Sequence, residues 1–162
     1  MDKRWVLNAS PVILLAKAGV VHLVPRLCEQ LVIPEGTMQE VLRGKMSDDG
    51  RAWLNAGGAT YIRPSAQIPD TITRLGLGTG ESQVLAWVLA NPGFEGVLDD
   101  FQARRAANTL RLPIVGSLRV LIILKERGLI PAIKPAVTKF REAGSYLSDD
   151  LVEQALKLAG EQ

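Results

Sequence analysis

The sequence has little of what builds stapled or soft-metal proteins: one cysteine, one histidine and eight aromatic residues in 162. The lone Cys28 excludes an internal disulfide, and among Leu27, Leu31 and Val32 it reads as a buried, inert thiol. The single His22, surrounded by Val20, Val21 and Leu23, reads as structural. One cysteine and one histidine are too few for a zinc site, so any metal must be held by oxygen. Trp5, Trp53 and Trp87 are too scattered to form a base-stacking platform and are expected in the core. Long apolar runs are missing too. Pro11 to Ala16 and Val120 to Leu124 fall far short of the roughly 20 residues of a membrane span. Met1-Asp2-Lys3-Arg4-Trp5 leads straight into a strand-like segment without an apolar leader region, so the expectation is a cytoplasmic protein with no membrane partner. Nor does one charge dominate: a formal net charge of +2 does not announce a nucleic-acid binder, although arginines can still form a local patch.

What is present is the composition of a folded domain, 47% hydrophobic and 22% charged. The length suits one domain over residues 1–162 with a core of its own. Trp5-Val6-Leu7 reads as a strand that gives way at Asn8-Ala9-Ser10-Pro11 to a helix from Pro11 to Lys17, with Ser10 as a cap. Leu31-Val32-Ile33, closed by Pro34, is the second strand, and Ala59 to Ile62 reads as the third. Between them, Gly36 to Arg43 and Asp48 to Asn55 read as helices that end at glycines. Asp70 opens a short helix. A longer one follows Gly80-Glu81, with Val84, Leu85, Val88 and Leu89 on one face. Gly96-Val97-Leu98 and Pro113-Ile114-Val115-Gly116 are strands four and five. The helix from Gln102 to Leu110 separates them, and an apolar helix opened by Ser117 follows. Pro135 to Ala143 and Asp149 to Ala159, the latter capped by Ser148, complete a C-terminal helical extension of about residues 131–162.

Short strands alternating with helices predict an α/β fold: a central parallel sheet of about five strands flanked by helices. Ligands of such sheets bind beyond the carboxyl ends of the strands. That rule directs attention to Asn8, to Asp99 and Asp100, and to Gly116-Ser117. Each has an ordinary reading beside the functional one. Asp99 or Asp100 can cap a helix, Glu81 can complement a helix dipole, and Glu40 alone is an unremarkable surface glutamate. Ser10 and Ser117 can cap helices or hold phosphate, and Arg104 and Arg105 can contact phosphates or sit on a solvated face. The run Gly76-x-Gly78-x-Gly80 lacks the Lys-Ser or Lys-Thr of a phosphate loop and reads as a loop that positions Glu81.

Five segments, in order, resemble the PIN-domain family. Trp5-Val6-Leu7-Asn8-Ala9-Ser10-Pro11 is similar to its opening strand. Ile33-Pro34-Glu35-Gly36-Thr37-Met38-Gln39-Glu40-Val41 is similar to its I-P-x-x-x-x-x-E-V segment. Gly78-Thr79-Gly80-Glu81-Ser82 and Leu98-Asp99-Asp100-Phe101-Gln102-Ala103-Arg104 continue the likeness, which ends at Val115-Gly116-Ser117 and spans about residues 4 to 130. The closest likeness is to a PIN-like subgroup of nucleic-acid-binding proteins with Gly-x-Gly-Glu and Asp-Asp-x-x-Ala-Arg patterns. The resemblance implies a Mg²⁺- or Mn²⁺-dependent endoribonuclease acting on RNA, with relatives that are toxins of toxin–antitoxin pairs. It implies Glu40, Glu81, Asp99 and Asp100 as catalytic residues, and Asn8, Glu81, Asp99 and Asp100 as metal ligands. Ser10, Arg104, Arg105 and Ser117 would contact nucleic acid. It further implies a protein antitoxin and a homodimer, the latter drawing on the apolar helix Leu118 to Leu124 and the C-terminal helix. Asn8 stands where these nucleases usually carry Asp, so a neutral ligand replaces a charged one. The alternative is therefore a weakened or inactive PIN-like module that binds nucleic acid or a protein partner.

Overall fold

β-Branched and aromatic residues early in the chain make β1 (Lys3–Leu7), and a second such run makes β2 (Cys28–Pro34), where proline ends the ladder. The computed structural model describes residues 2–44 and 48–162. The remaining strands are short: β3 (Ile62–Arg63), β4 (Glu95–Val97) and β5 (Ile114–Val115). All pairings are parallel, in the order β3-β2-β1-β4-β5. The chain first winds outward from β1 through β2 to β3, then returns to lay β4 and β5 on the other side of β1. The direction of winding therefore reverses between β1 and β4, the place where an open parallel sheet offers a crevice.

Helices fill the connections: α1 (Ala9–Lys17), α2 (Glu35–Arg43), α3 (Asp48–Leu54), α4 (Asp70–Thr73), α5 (Thr79–Ala90) and α6 (Phe101–Thr109). After β5 come α7 (Ser117–Glu126), α8 (Lys134–Glu142) and α9 (Asp149–Leu158). Alternation along β1 divides the core. Trp5 and Leu7 face one apolar cluster with residues of α1, α7, α8 and α9, whereas Val6 faces another with residues of α5 and α6. Both faces of the sheet are covered, as a parallel sheet requires. Cys28 is buried, and that burial pushes its thiol up to about 12, consistent with an inert packing residue. Among the described residues, no single helix is long and apolar enough to cross a membrane.

Several local expectations need correction. The expected third strand from Ala59 is instead a 3-10 turn, Gly57–Tyr61, and only Ile62 and Arg63 pair with β2. Gly58 allows this tight path: a Cβ there would lie 2.8 Å from the Trp53 ring, which itself stacks on Tyr61. Helix α1 begins at Ala9, so Ser10 lies inside it and does not cap it; Pro11 sits in the first turn, where its missing N–H costs no intrahelical bond. Gly116, not Ser117, occupies the cap position of α7. His22 is exposed on the 3-10 turn Val21–Leu27 and does not line the cleft described below. Trp53 and Trp87 are half-buried at the edge of the packing, and Trp5 alone of the three is fully buried.

The C-terminal extension is part of the same packing. Gly128, at φ +73, turns the chain out of α7, with the Gly128 and Leu129 amides closing on the Lys125 and Leu124 carbonyls. Helix α9 then packs against α7, whose residues Val120 to Leu124 are all buried. The apolar surface expected to be shared between two copies is thus covered largely within one chain.

One buried bond ties α2 to the sheet: the fully buried Thr37 hydroxyl donates to the Leu7 carbonyl at 2.8 Å, at the end of β1. Thr37→Val keeps the shape and removes that donor inside the core. Urea unfolding of this variant is expected to show a loss of about 1–3 kcal/mol with an unchanged slope; a loss below about 0.5 kcal/mol would mean that the bond does not hold α2.

Candidate active site

Asn8 sits directly after β1, at the cap position of α1, and its N–H donates to the Val97 carbonyl of β4 at 3.1 Å. An asparagine there ordinarily bonds the second or third amide of its helix. Pro11, the third helical residue, has no amide to offer, and the Asn8 side chain makes no capping bond. The residue is 3% exposed, and its Oδ1 is buried without a hydrogen-bond partner. A buried amide oxygen left unpaired costs about 1–3 kcal/mol, so it calls for a donor or a cation.

Glu40 and Glu81 reach the same place from two helices. Thr37 anchors α2 to Leu7, and the Gly36 amide donates to Gln83 Oε1 of α5 at 2.6 Å. Glu40 lies three and four residues beyond these anchors, on the same face of α2. Glu81 lies in the first turn of α5, after Gly80. Gly80 separates the converging oxygens: a Cβ on it would stand 2.6 Å from Glu40 Oε1 and 3.1 Å from Asn8 Oδ1. Any side chain at this position would therefore push on the carboxylate and the amide together.

Asp99 follows β4 and is held from the neighbouring connection. Its Oδ1 accepts the Ser117 amide at 2.8 Å, and its Oδ2 accepts the Ser117 hydroxyl at 2.6 Å. Asp100 points differently, capping α6 through a bond from the Ala103 amide at 2.9 Å, and is exposed. Arg104, one turn on, donates to the Leu98 carbonyl at 3.0 Å and lies beside Gly116, as Asp99 Oδ1 does. Asn8, Ser10, Glu40, Glu81, Asp99, Asp100, Arg104 and Ser117 all line one cleft; Arg105 does not, and rests instead over the Phe101 ring.

The electrostatics of the cleft are unbalanced. Among the described residues, Glu40, Glu81, Asp99 and Asp100 take part in no ion pair. Burial raises the Glu40 carboxyl above its ordinary range and the charge on Glu81 raises it further, while the Gly80 amide and Arg43 pull less strongly the other way. The amino ends of α1, α5, α6 and α7 meet at the cleft, and their dipoles offset part of the negative charge.

The donor chemistry suits a hard divalent cation: only oxygens are available, one of them a buried, unpaired amide oxygen. Among the described residues, however, no three Asp, Glu, His or Cys side chains are gathered closely enough to hold a metal by themselves. A fit therefore includes the neutral Asn8 and small movements of the glutamates.

The cleft extends well past these residues, to about 870 Å³, against roughly 30 Å³ for one water in the liquid. Its farther part is lined by Leu118, Ile122, Tyr146, Leu147, Leu151 and Leu158. The C-terminal helices, expected in the core or at a dimer interface, also wall the site; their spacing shows an apolar face without showing what it faces.

Residues 4–161 match a family model described as a PIN domain. No curated protein and no solved structure matches the chain.

The strain on Glu40 has a measurable sign. A carboxyl whose folded value is raised contributes stability at low pH that is lost as pH climbs from 4.5, its ordinary value, through the raised one. In metal-free protein at pH 7, Glu40→Gln is expected to raise the thermal midpoint by roughly 1–2 °C, since partial exposure screens the repulsion. The gain should vanish at pH 4; a midpoint lowered equally at both pH values would show that Glu40 is held by favourable contacts instead.

Proposed function

The chain belongs to the PIN-domain family, and on that premise we propose that it is a Mg²⁺- or Mn²⁺-dependent endoribonuclease. One observation carries the reading: Asn8 Oδ1 is buried and unpartnered at the end of the central strand, in the same cleft as Glu40, Glu81 and Asp99. Asn8, Glu81 and Asp99 would hold the ion, with Asp100 at the outer edge. When bound, a divalent cation supplies positive charge that stabilises the charge developing on the scissile phosphate. The chain's own residues do the rest. Glu40, with its raised proton affinity, is suited to take a proton from the attacking water. Ser117 fixes Asp99 through two hydrogen bonds, so that carboxylate is oriented before substrate arrives. Arg104 and Ser10, which line the same cleft, would contact phosphate.

A second reading is favoured by one observation, that no three carboxylates are gathered for metal among the described residues. On that reading the domain binds nucleic acid or a protein without cleaving. Two further parts of the proposal rest on the family resemblance alone: a toxin role in the cytoplasm opposite a protein antitoxin, and a homodimer. With α7 covered inside the chain, a dimer would use the exposed remainder of α9 at Leu151 and Leu158. Sedimentation at micromolar concentration should then give about twice the 17.6 kDa of the chain; a constant monomer mass removes the dimer.

Calorimetric titration with Mn²⁺ decides between cleavage and binding alone. The wild type should bind saturably, and Asn8→Asp, which adds a charge to the same geometry, should bind about tenfold more tightly. Glu81→Gln should lower Mn²⁺-stimulated RNA cleavage by roughly a hundredfold. No saturable binding by either wild type or Asn8→Asp would leave the non-catalytic reading standing.

A further inference from the structure

We propose that Phe101 and Tyr146 form a two-ring rim on which bases of a single-stranded nucleic acid stack as the strand crosses the acidic cleft. The identity of the bound polymer rests on the nuclease reading; the role of the two rings does not depend on cleavage.

The observation is a contrast among the eight aromatics of the chain. Trp5, Phe94 and Phe140 are buried; Trp53 packs on Tyr61 and Trp87 on Phe94. Phe101 and Tyr146 are 72% and 92% exposed, and both line the cleft that holds Asn8, Glu40, Glu81 and Asp99. Of the six large hydrophobics exposed among the described residues, four, these two with Leu151 and Leu158, line it. Apolar exposure gathered at one place marks a binding surface, whereas scattered exposure does not.

The local chemistry selects the occupant. Phe101 follows Asp99 by two residues, so their Cα atoms are at most about 7.6 Å apart. A base stacked on this ring thus belongs to a nucleotide next to the carboxylates. Arg105 lies 5.7 Å from the Phe101 ring centre, one turn along α6, and backs the ring with a cation. Arg104 and Arg119 also line the cleft, Arg104 donating to the Leu98 carbonyl and Arg119 pairing with Glu126, and both carry positive charge to the side of the cleft that a phosphate backbone would need. Tyr146 comes from the connection between α8 and α9, where Gly144 at φ +90 turns the chain. Largely exposed rings in a cleft that also holds arginines suit unpaired bases, since a duplex hides its base faces within the stack.

Binding of a fluorescein-labelled 12-residue oligoadenylate in EDTA tests this without cleavage. Phe101→Leu and Tyr146→Leu should each weaken binding about tenfold, and Tyr146→Phe should stay within about twofold of wild type. Because both rings are exposed, the thermal midpoints should not move. An oligomer with its bases removed should bind the wild type as weakly as it binds the double Leu variant. A matched duplex should bind all the proteins alike. Wild-type affinity in both Leu variants, or failure of the wild type to bind the single strand, overturns the proposal. Wild-type affinity in both Leu variants with Mn²⁺-stimulated cleavage intact refutes the rim alone. Tenfold effects in EDTA without any cleavage refute the nuclease reading and leave the rim in place.

Discussion

The end of β1 is the point on which the cleft depends. The Leu7 carbonyl accepts the Thr37 hydroxyl and the Asn8 amide donates to the Val97 carbonyl, so α2 and β4 are both fixed to the end of one central strand. Gln83 then ties α5 to the first turn of α2. These few bonds hold Glu40 and Glu81 beside Asn8 although the two carboxylates repel each other. That repulsion adds to burial in raising the Glu40 carboxyl above its ordinary range. The scaffold must therefore be rigid where the charges sit, and the fully buried Thr37 and Leu7 meet that need.

Much of this arrangement is legible in the sequence, and the reasons differ by element. β-Branched runs ended by Pro34 or by Asp99-Asp100 reveal strands, and Gly44, Gly76 and Gly128 reveal helix ends, because each acts through local backbone preference. The sheet rule then brings Asn8 and Asp99 together without any tertiary information. The third strand is misplaced because Gly57 and Gly58 permit a tight turn that only the packing of Trp53 and Tyr61 selects. Ser117 looks like a cap in sequence. Its role is to hold Asp99, eighteen residues away, and no local pattern records that pairing. Phe101 and Tyr146 are equally unreadable, since an aromatic side chain in a polar segment is ordinarily buried by something distant.

Asn8 shows a subtler kind of legibility. The pattern Asn-Ala-Ser-Pro suggests a helix start, and a helix does start there. The same proline that favours the helix also withholds one of the amides that an N-cap asparagine would bond, so its oxygen stays free. One residue thus decides two things at once: where α1 begins, and that Asn8 has an acceptor to spare. A sequence reading that stops at the capping signal finds the helix and overlooks the free oxygen.

The C-terminal helices complete the argument by changing what the crevice can hold. A parallel sheet with its helices offers an open notch between β1 and β4, wide enough for an ion and a phosphate. Here α8 and α9 lengthen the notch into a walled cleft, and the wall is itself secured. Glu161, although burial works against its charge, is held below the ordinary carboxylate range by the Ile133 amide and the Lys125 ammonium, with the Lys134 backbone amide adding a further bond. That clamp joins the chain end to α7 and to the start of α8, so the apolar side of the cleft is a fixed surface. A fixed apolar wall beside a charged floor suits a ligand that is itself divided, with charge along one edge and flat, weakly polar groups along the other. A nucleic-acid strand has this character when its bases are unpaired. The same wall gives little to a compact inorganic ion, for which the carboxylate end alone would suffice.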